Sequence, residues 1–89
     1  MRRRYLVEGI VQGVGFRFFA RREAERSGVI GWVRNLPDGR VEAVGDGTPD
    51  QLRRFEAALR LGPRSGRVID LQITEISDEA ELSSGFAIE

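Results

Sequence analysis

At 89 residues the chain has length for one domain, residues 1–89, and not for a second core. Fourteen basic and fourteen acidic side chains cancel, so charge lends no support to a broad nucleic-acid-binding surface. Cysteine and histidine are absent, which excludes disulfides, thiolate or imidazole metal sites, a cysteine nucleophile and a histidine base.

The first predicted element is a strand over residues 5–11. Tyr5, Val7 and Val11 share one face and Leu6 and Ile10 the other, a pattern that predicts a central strand buried on both sides. A glycine-bearing turn follows, Gln12-Gly13-Val14-Gly15-Phe16. Residues 17–27 read as a helix, with Phe16, Phe19, Ala20 and Ala24 near helical spacing and Gly28 placed as a C-terminal glycine. A second strand over 29–35 alternates Val29, Gly31 and Val33 against Ile30 and Trp32. Leu36-Pro37-Asp38-Gly39 is a turn in which proline fixes φ and glycine accepts a positive one. The third strand, 41–44, hairpins back onto the second.

Thr48, Pro49 and Gln51 open a second helix as N-cap, first residue and capping-box partner. Leu52, Phe55 and Leu59 form its apolar stripe, and Gly62-Pro63 stops it. Residues 68–76 alternate Ile69, Leu71 and Ile73 against Asp70, Gln72 and Thr74. A polar connection over 77–84 leads to a short edge strand at Phe86 and Ile88. This order is a split βαβ unit repeated twice, the ferredoxin-like α+β plan. The expected fold is a βαββαβ sandwich, an antiparallel sheet with two helices on one face and a short fifth edge strand. That plan runs the first and second strands parallel with the third between them. The 12–16 turn and Asn35 then emerge at one edge of the sheet, about 10 Å apart.

The turn is the most informative stretch. Gly13 and Gly15 allow backbone angles that let successive N–H groups converge, and the helix that follows adds partial positive charge. With Arg17 in the first helical turn, the stretch suits an anion such as phosphate. The same glycines also suit a plain tight turn. It is neither a P-loop, which ends in Gly-Lys-Ser/Thr, nor a dinucleotide fingerprint, which needs glycine where Phe18 stands. Elsewhere the bland readings hold: Arg2, Arg3 and Arg4 as a frayed terminus, Arg21 and Arg22 as a solvated helix face, and Trp32 as packing. Asp38, Asp46 and Asp50 read as turn and cap residues.

Residues Gly9-Ile10-Val11-Gln12-Gly13-Val14-Gly15-Phe16-Arg17 resemble the first signature of the acylphosphatase family. Gly31-Trp32-Val33-Arg34-Asn35-Leu36-Pro37-Asp38-Gly39 resembles its second, in the right order and at the right separation. The resemblance covers essentially the whole chain. Ile10 departs from it, since the family usually carries a basic residue there. The resemblance implies a metal-free, cofactor-free hydrolase of the carboxyl–phosphate bond of acyl phosphates. It implies Arg17 as catalytic arginine, Asn35 as the residue that orients water, and Gln12, Gly13, Val14, Gly15, Phe16 and Arg17 as the phosphate-binding set. The implied partner is a small-molecule acyl phosphate, with inorganic phosphate or a similar anion in the same site. No nucleic-acid or membrane partner is expected.

Two other classes stay open. A ferredoxin-like RNA-binding module needs aromatics on the central strands, and Tyr5 is the only one on the first and third strands. A non-catalytic anion-binding module is the other. No apolar run approaches a membrane span, and the apolar stretch after the basic start is broken by Glu8 and glycines. A cytoplasmic monomer is therefore expected. Lysine is absent, so every one of the fourteen cationic side chains is arginine.

Overall fold

The computed structural model describes residues 1–77 and 80–89. The elements run β1 (Arg2–Ile10), α1 (Phe16–Ser27), β2 (Ile30–Asn35), β3 (Val41–Asp46), α2 (Pro49–Leu61), β4 (Arg67–Glu75) and β5 (Phe86–Ile88). Asp78 and Glu79, within the expected polar connection, lie outside the described residues. The strands form one sheet in the order β4-β1-β3-β2-β5. Pairing is antiparallel from β4 through β2, and β5 joins β2 in parallel. The fold is ferredoxin-like α+β as expected, with a mixed sheet where a wholly antiparallel one was foreseen.

Local signals act as read. Thr48 Oγ1 accepts from the Gln51 amide while Gln51 Oε1 accepts from the Thr48 amide, a complete capping box with proline in the first turn. Gly28 ends α1 in the left-handed conformation, φ 78°. The helices contact each other and bury Phe16, Ala20 and Ala24 of α1 and Leu52, Phe55 and Leu59 of α2. Against these pack Tyr5 and Val7 of β1, Val33 of β2 and Val41 and Ala43 of β3. Phe55 sits at the centre, edge-on to Tyr5 at 5.5 Å and to Phe86 at 5.6 Å. One aromatic side chain thus joins α2 to strands on both sides of the sheet.

Three expectations need correction. First, β1 is covered on one face alone: Tyr5 and Val7 are fully buried, Leu6 is half-buried and Ile10 is 57% exposed. Both helices take the other face, so the apolar Leu6 and Ile10 lie on the open one. Second, Arg2, Arg3 and Arg4 are not frayed. They are the first residues of β1, and each finds a carboxylate: Arg2 meets Asp46, Arg3 meets Glu56, and Arg4 meets Glu42. Glu56 also accepts from the buried Tyr5 hydroxyl at 2.7 Å. Burial and that carboxylate both push the Tyr5 phenol far up, so it stays a donor. Third, a bulge between Glu8 and Gly9 shifts the β1–β4 register and carries Ile69 out of the ladder. Ile69 is 69% exposed, and Val68 takes the place against the core.

On the open face Glu42 holds three strands together. It lies in β3, opposite Arg34 of β2, and accepts from Arg34 Nε at 2.7 Å and from Arg4 Nε of β1. Arg34 also lies over Trp32, 5.2 Å from the ring centroid, so Trp32 packs on this face as expected. Burial pushes the Glu42 carboxyl up, and the two guanidinium hydrogen bonds outweigh it, leaving the group below its ordinary value. A depressed folded-state value stabilises the fold above the unfolded value, about 4.3 for glutamate, and that contribution is lost as pH falls through the folded value. Glu42→Gln should cost about 1 kcal/mol at pH 7, since both arginines are partly solvated. Urea denaturation should show a smaller loss of stability in the variant than in the parent as pH is lowered from neutrality to below 4.3.

Candidate active site

The first turn of α1 and the end of β2 meet at one edge of the sheet. Gly13 and Gly15 have φ of 74° and 75°, and Val14 between them does not. That alternation of hand makes consecutive N–H groups converge. Gly15 is the N-cap of α1, with no side chain capping the helix, so the first-turn amides keep free donors at the positive end of the helix dipole. An added Cβ would meet nothing within 4 Å at either glycine. Positive φ, and not crowding, is what demands glycine here.

A hollow of about 200 Å³ is lined by Val11, Gly13, Gly15, Phe16, Arg17, Phe18 and Asn35. That is below the range of about 300–1,000 Å³ for drug-sized ligands and suits a small anion with a water. Of the residues singled out in the sequence, it brings together Gly13, Gly15, Phe16, Arg17 and Asn35. Phe16 is a buried floor, while Arg17 is half-exposed and follows it in the helix. Arg17 Nη1 donates to the main-chain oxygen of Glu89 at 3.1 Å, and the Glu89 amide donates to Val33 O in β2 at 2.8 Å. The strand that carries Asn35 thus also steadies the guanidinium, which keeps further donors for a ligand. Asn35 Oδ1 is buried without a hydrogen-bond partner, the one such side-chain atom among the described residues. A buried acceptor in that state has a use for a donor in the hollow.

Gln12 and Val14 do not line the hollow. Val14 packs against the core. The Gln12 side chain reaches across to the β2–β3 turn, where Nε2 donates to Leu36 O at 2.7 Å and Arg40 O at 2.9 Å. Two carbonyl partners settle which end of the amide is nitrogen. Gln12 therefore ties the glycine loop to the turn after Asn35. That turn is itself braced: Asp38 accepts from the Arg40 guanidinium and amide, which hold its carboxyl below the usual range. Asp46 and Asp50 sit at a strand end and in the first turn of α2, as structural residues. Sequence reasoning missed Val11, Phe18 and Glu89 as parts of the site. For Phe18 a signal existed, since its position is out of phase with the buried stripe of Phe16, Ala20 and Ala24.

Among the described residues, no carboxylate side chain lines the hollow. The arrangement offers backbone amides, one guanidinium and one amide side chain, a set fitted to hold a phosphoryl group and a water. The acylphosphatase family model matches residues 3–88. The chain belongs to the acylphosphatase family. The acylphosphatase of Koribacter versatilis is 46% identical over 87 residues, 98% of this chain and 78% of that one. The crystal structure of acylphosphatase from Bacillus subtilis superposes with a TM-score of 0.91 at 38% identity, covering 99% of this chain and 97% of that one. HypF of T. kodakarensis matches at TM-score 0.86 and 31% identity, over all of this chain and 12% of its own length. Membership makes the chain an enzyme acting on acyl phosphates. No described helix is long and apolar enough to cross a membrane.

The tie from Gln12 sets the distance between loop and Asn35. Gln12→Ala should lower stability by about 1–2 kcal/mol, with two hydrogen bonds lost from carbonyls that keep one partner each. It should lower kcat for acyl phosphate hydrolysis by about tenfold or more, as a misaligned site does. Gln12→Glu, which sets an acceptor against two carbonyl oxygens, should be worse on both counts in denaturation and steady-state assays.

Proposed function

We propose that this acylphosphatase hydrolyses its substrate in the hollow between the glycine loop and Asn35, without a metal or cofactor. The loop amides of Gly13, Gly15 and Phe16 and the Arg17 guanidinium hold the phosphoryl oxygens, and Asn35 orients the attacking water. The observation that carries the reading is the buried, unpartnered Asn35 Oδ1 in a hollow shared with Arg17 and the two left-handed glycines.

An acyl phosphate is a mixed anhydride with a good leaving group, so positioning and charge neutralisation suffice. A water that donates one O–H to Asn35 Oδ1 keeps a lone pair for phosphorus. Its oxygen forms the new P–O bond as the bond from phosphorus to the carboxyl oxygen breaks in line. The carboxylate departs with the electron pair. An amide does not titrate near neutrality, so Asn35 cannot take the water's proton. A phosphoryl oxygen of the substrate accepts it, leaving inorganic phosphate. Arg17 and the amides bear the growing charge, and one such donor is worth about 10²–10³ in rate. The same reading takes residues 1–89 as one domain acting as a cytoplasmic monomer on a small-molecule acyl phosphate. The reading sets aside a nucleic-acid role, since Tyr5, the one aromatic on the two central strands, is fully buried.

Benzoyl phosphate hydrolysis in the presence of a chelator tests this. Wild type should turn over, and Arg17→Lys should lose about 10²-fold or more because ammonium lacks the planar fork. Asn35→Ala should lose kcat on a similar scale with a smaller change in phosphate inhibition. A folded wild type that binds phosphate without turnover would make the domain an anion-binding module and sink the catalytic reading.

A further inference from the structure

We infer that a groove along α1 receives the acyl part of the substrate and favours acyl phosphates that carry a second anionic group. This rests on the phosphoryl site proposed above. The groove, about 720 Å³, lies between α1 and the α2–β4 connection and has Phe18, Phe19, Arg21, Arg22 and Arg64 in its walls. Gly15 and Phe18 line both this groove and the phosphoryl hollow, so the two adjoin at the helix N-terminus. An acyl group attached to a phosphoryl group held by the loop leaves past Phe18.

Phe18 is 67% exposed, an uncovered phenyl ring at the junction. It offers an apolar contact to the carbon stem of a ligand. Charge follows. Phe18, Arg21, Arg22 and Glu25 recur at helical spacing and share one face of α1. Arg21 lies 6.0 Å from the Phe18 centroid and Arg22 lies 5.8 Å from that of Phe19. Among the described residues, Glu25 is the one carboxylate in the lining, against three guanidiniums. Neither Arg21 nor Arg64 forms an ion pair among the described residues. Arg21 and Arg22 stand six and seven residues beyond Gly15, about 10 Å along the helix. The groove therefore suits an acyl phosphate with an apolar or planar stem and a carboxylate or phosphate at that reach.

Three substrates separate the contributions: acetyl phosphate, benzoyl phosphate, and benzoyl phosphate with a 4-carboxylate. In wild type the carboxylated substrate should have the lowest KM. In the Arg21→Gln/Arg64→Gln double variant its KM should rise about fivefold, the scale of two exposed ion pairs, and the rise should shrink at high salt. Acetyl phosphate kinetics should not change. Phe18→Ala, at a residue shared with the phosphoryl hollow, should raise KM more for the two aromatic substrates than for acetyl phosphate. Wild type that hydrolyses all three, with no preference for the carboxylate and no selective change in the double variant, overturns the groove alone. Folded wild type that hydrolyses none overturns the phosphoryl site and the groove with it.

Discussion

β1 and β2 run parallel with β3 between them, and this spacing governs where every other part can stand. Two chain ends two strands apart face the same side, near enough for a glutamine to bridge and far enough to leave a hollow. Gln12 fixes that gap at the edge, Glu42 fixes it across the open face, and Phe55 fixes it from the core. The candidate site needs no element of its own. It occupies the corner that the crossover creates, with main chain as half of its surface.

A domain this small has little stability to give up for burying charge. The candidate site's one cation is half-exposed, and its buried, unpartnered polar atom is neutral. The heavier electrostatic pairs, Arg3 with Glu56 and Arg4 with Glu42, lie away from the hollow and serve the sheet. In the proposed reading the chemistry therefore falls to Arg17 and to dipoles already fixed by the fold. These need no reorganisation as charge develops on the phosphoryl group.

Much of this was legible in the sequence because local rules decide it. The Thr48–Gln51 capping box, the Gly28 cap and the alternation of Val29, Gly31 and Val33 act within a few residues, and the folded chain obeys them. Gly13, Gly15, Arg17 and Asn35 were legible as a set from the two signatures and the order of elements. What escaped was settled by partners distant in the chain. Arg2, Arg3 and Arg4 look like a loose basic end until Asp46, Glu56 and Glu42 are beside them. The alternation over 68–76 is regular on paper, and a bulge opposite Gly9 moves Ile69 out of it. Gln12 could have faced solvent, and only the hairpin geometry shows that it ties two loops.

The cations around the hollow and its groove are Arg17, Arg21, Arg22 and Arg64, without exception guanidiniums. An acyl phosphate is an acylating agent, and free amines and thiolates attack its carbonyl carbon. A guanidinium stays protonated at any working pH and has no lone pair to offer. With lysine, cysteine and histidine absent from the whole chain, no side-chain amine, thiolate or imidazole can capture the acyl group. Lysine would supply the same charge and be consumed by amide formation. Arginine attracts the reagent and remains inert to it, so the chain can meet a reactive anhydride turnover after turnover without being modified at those positions.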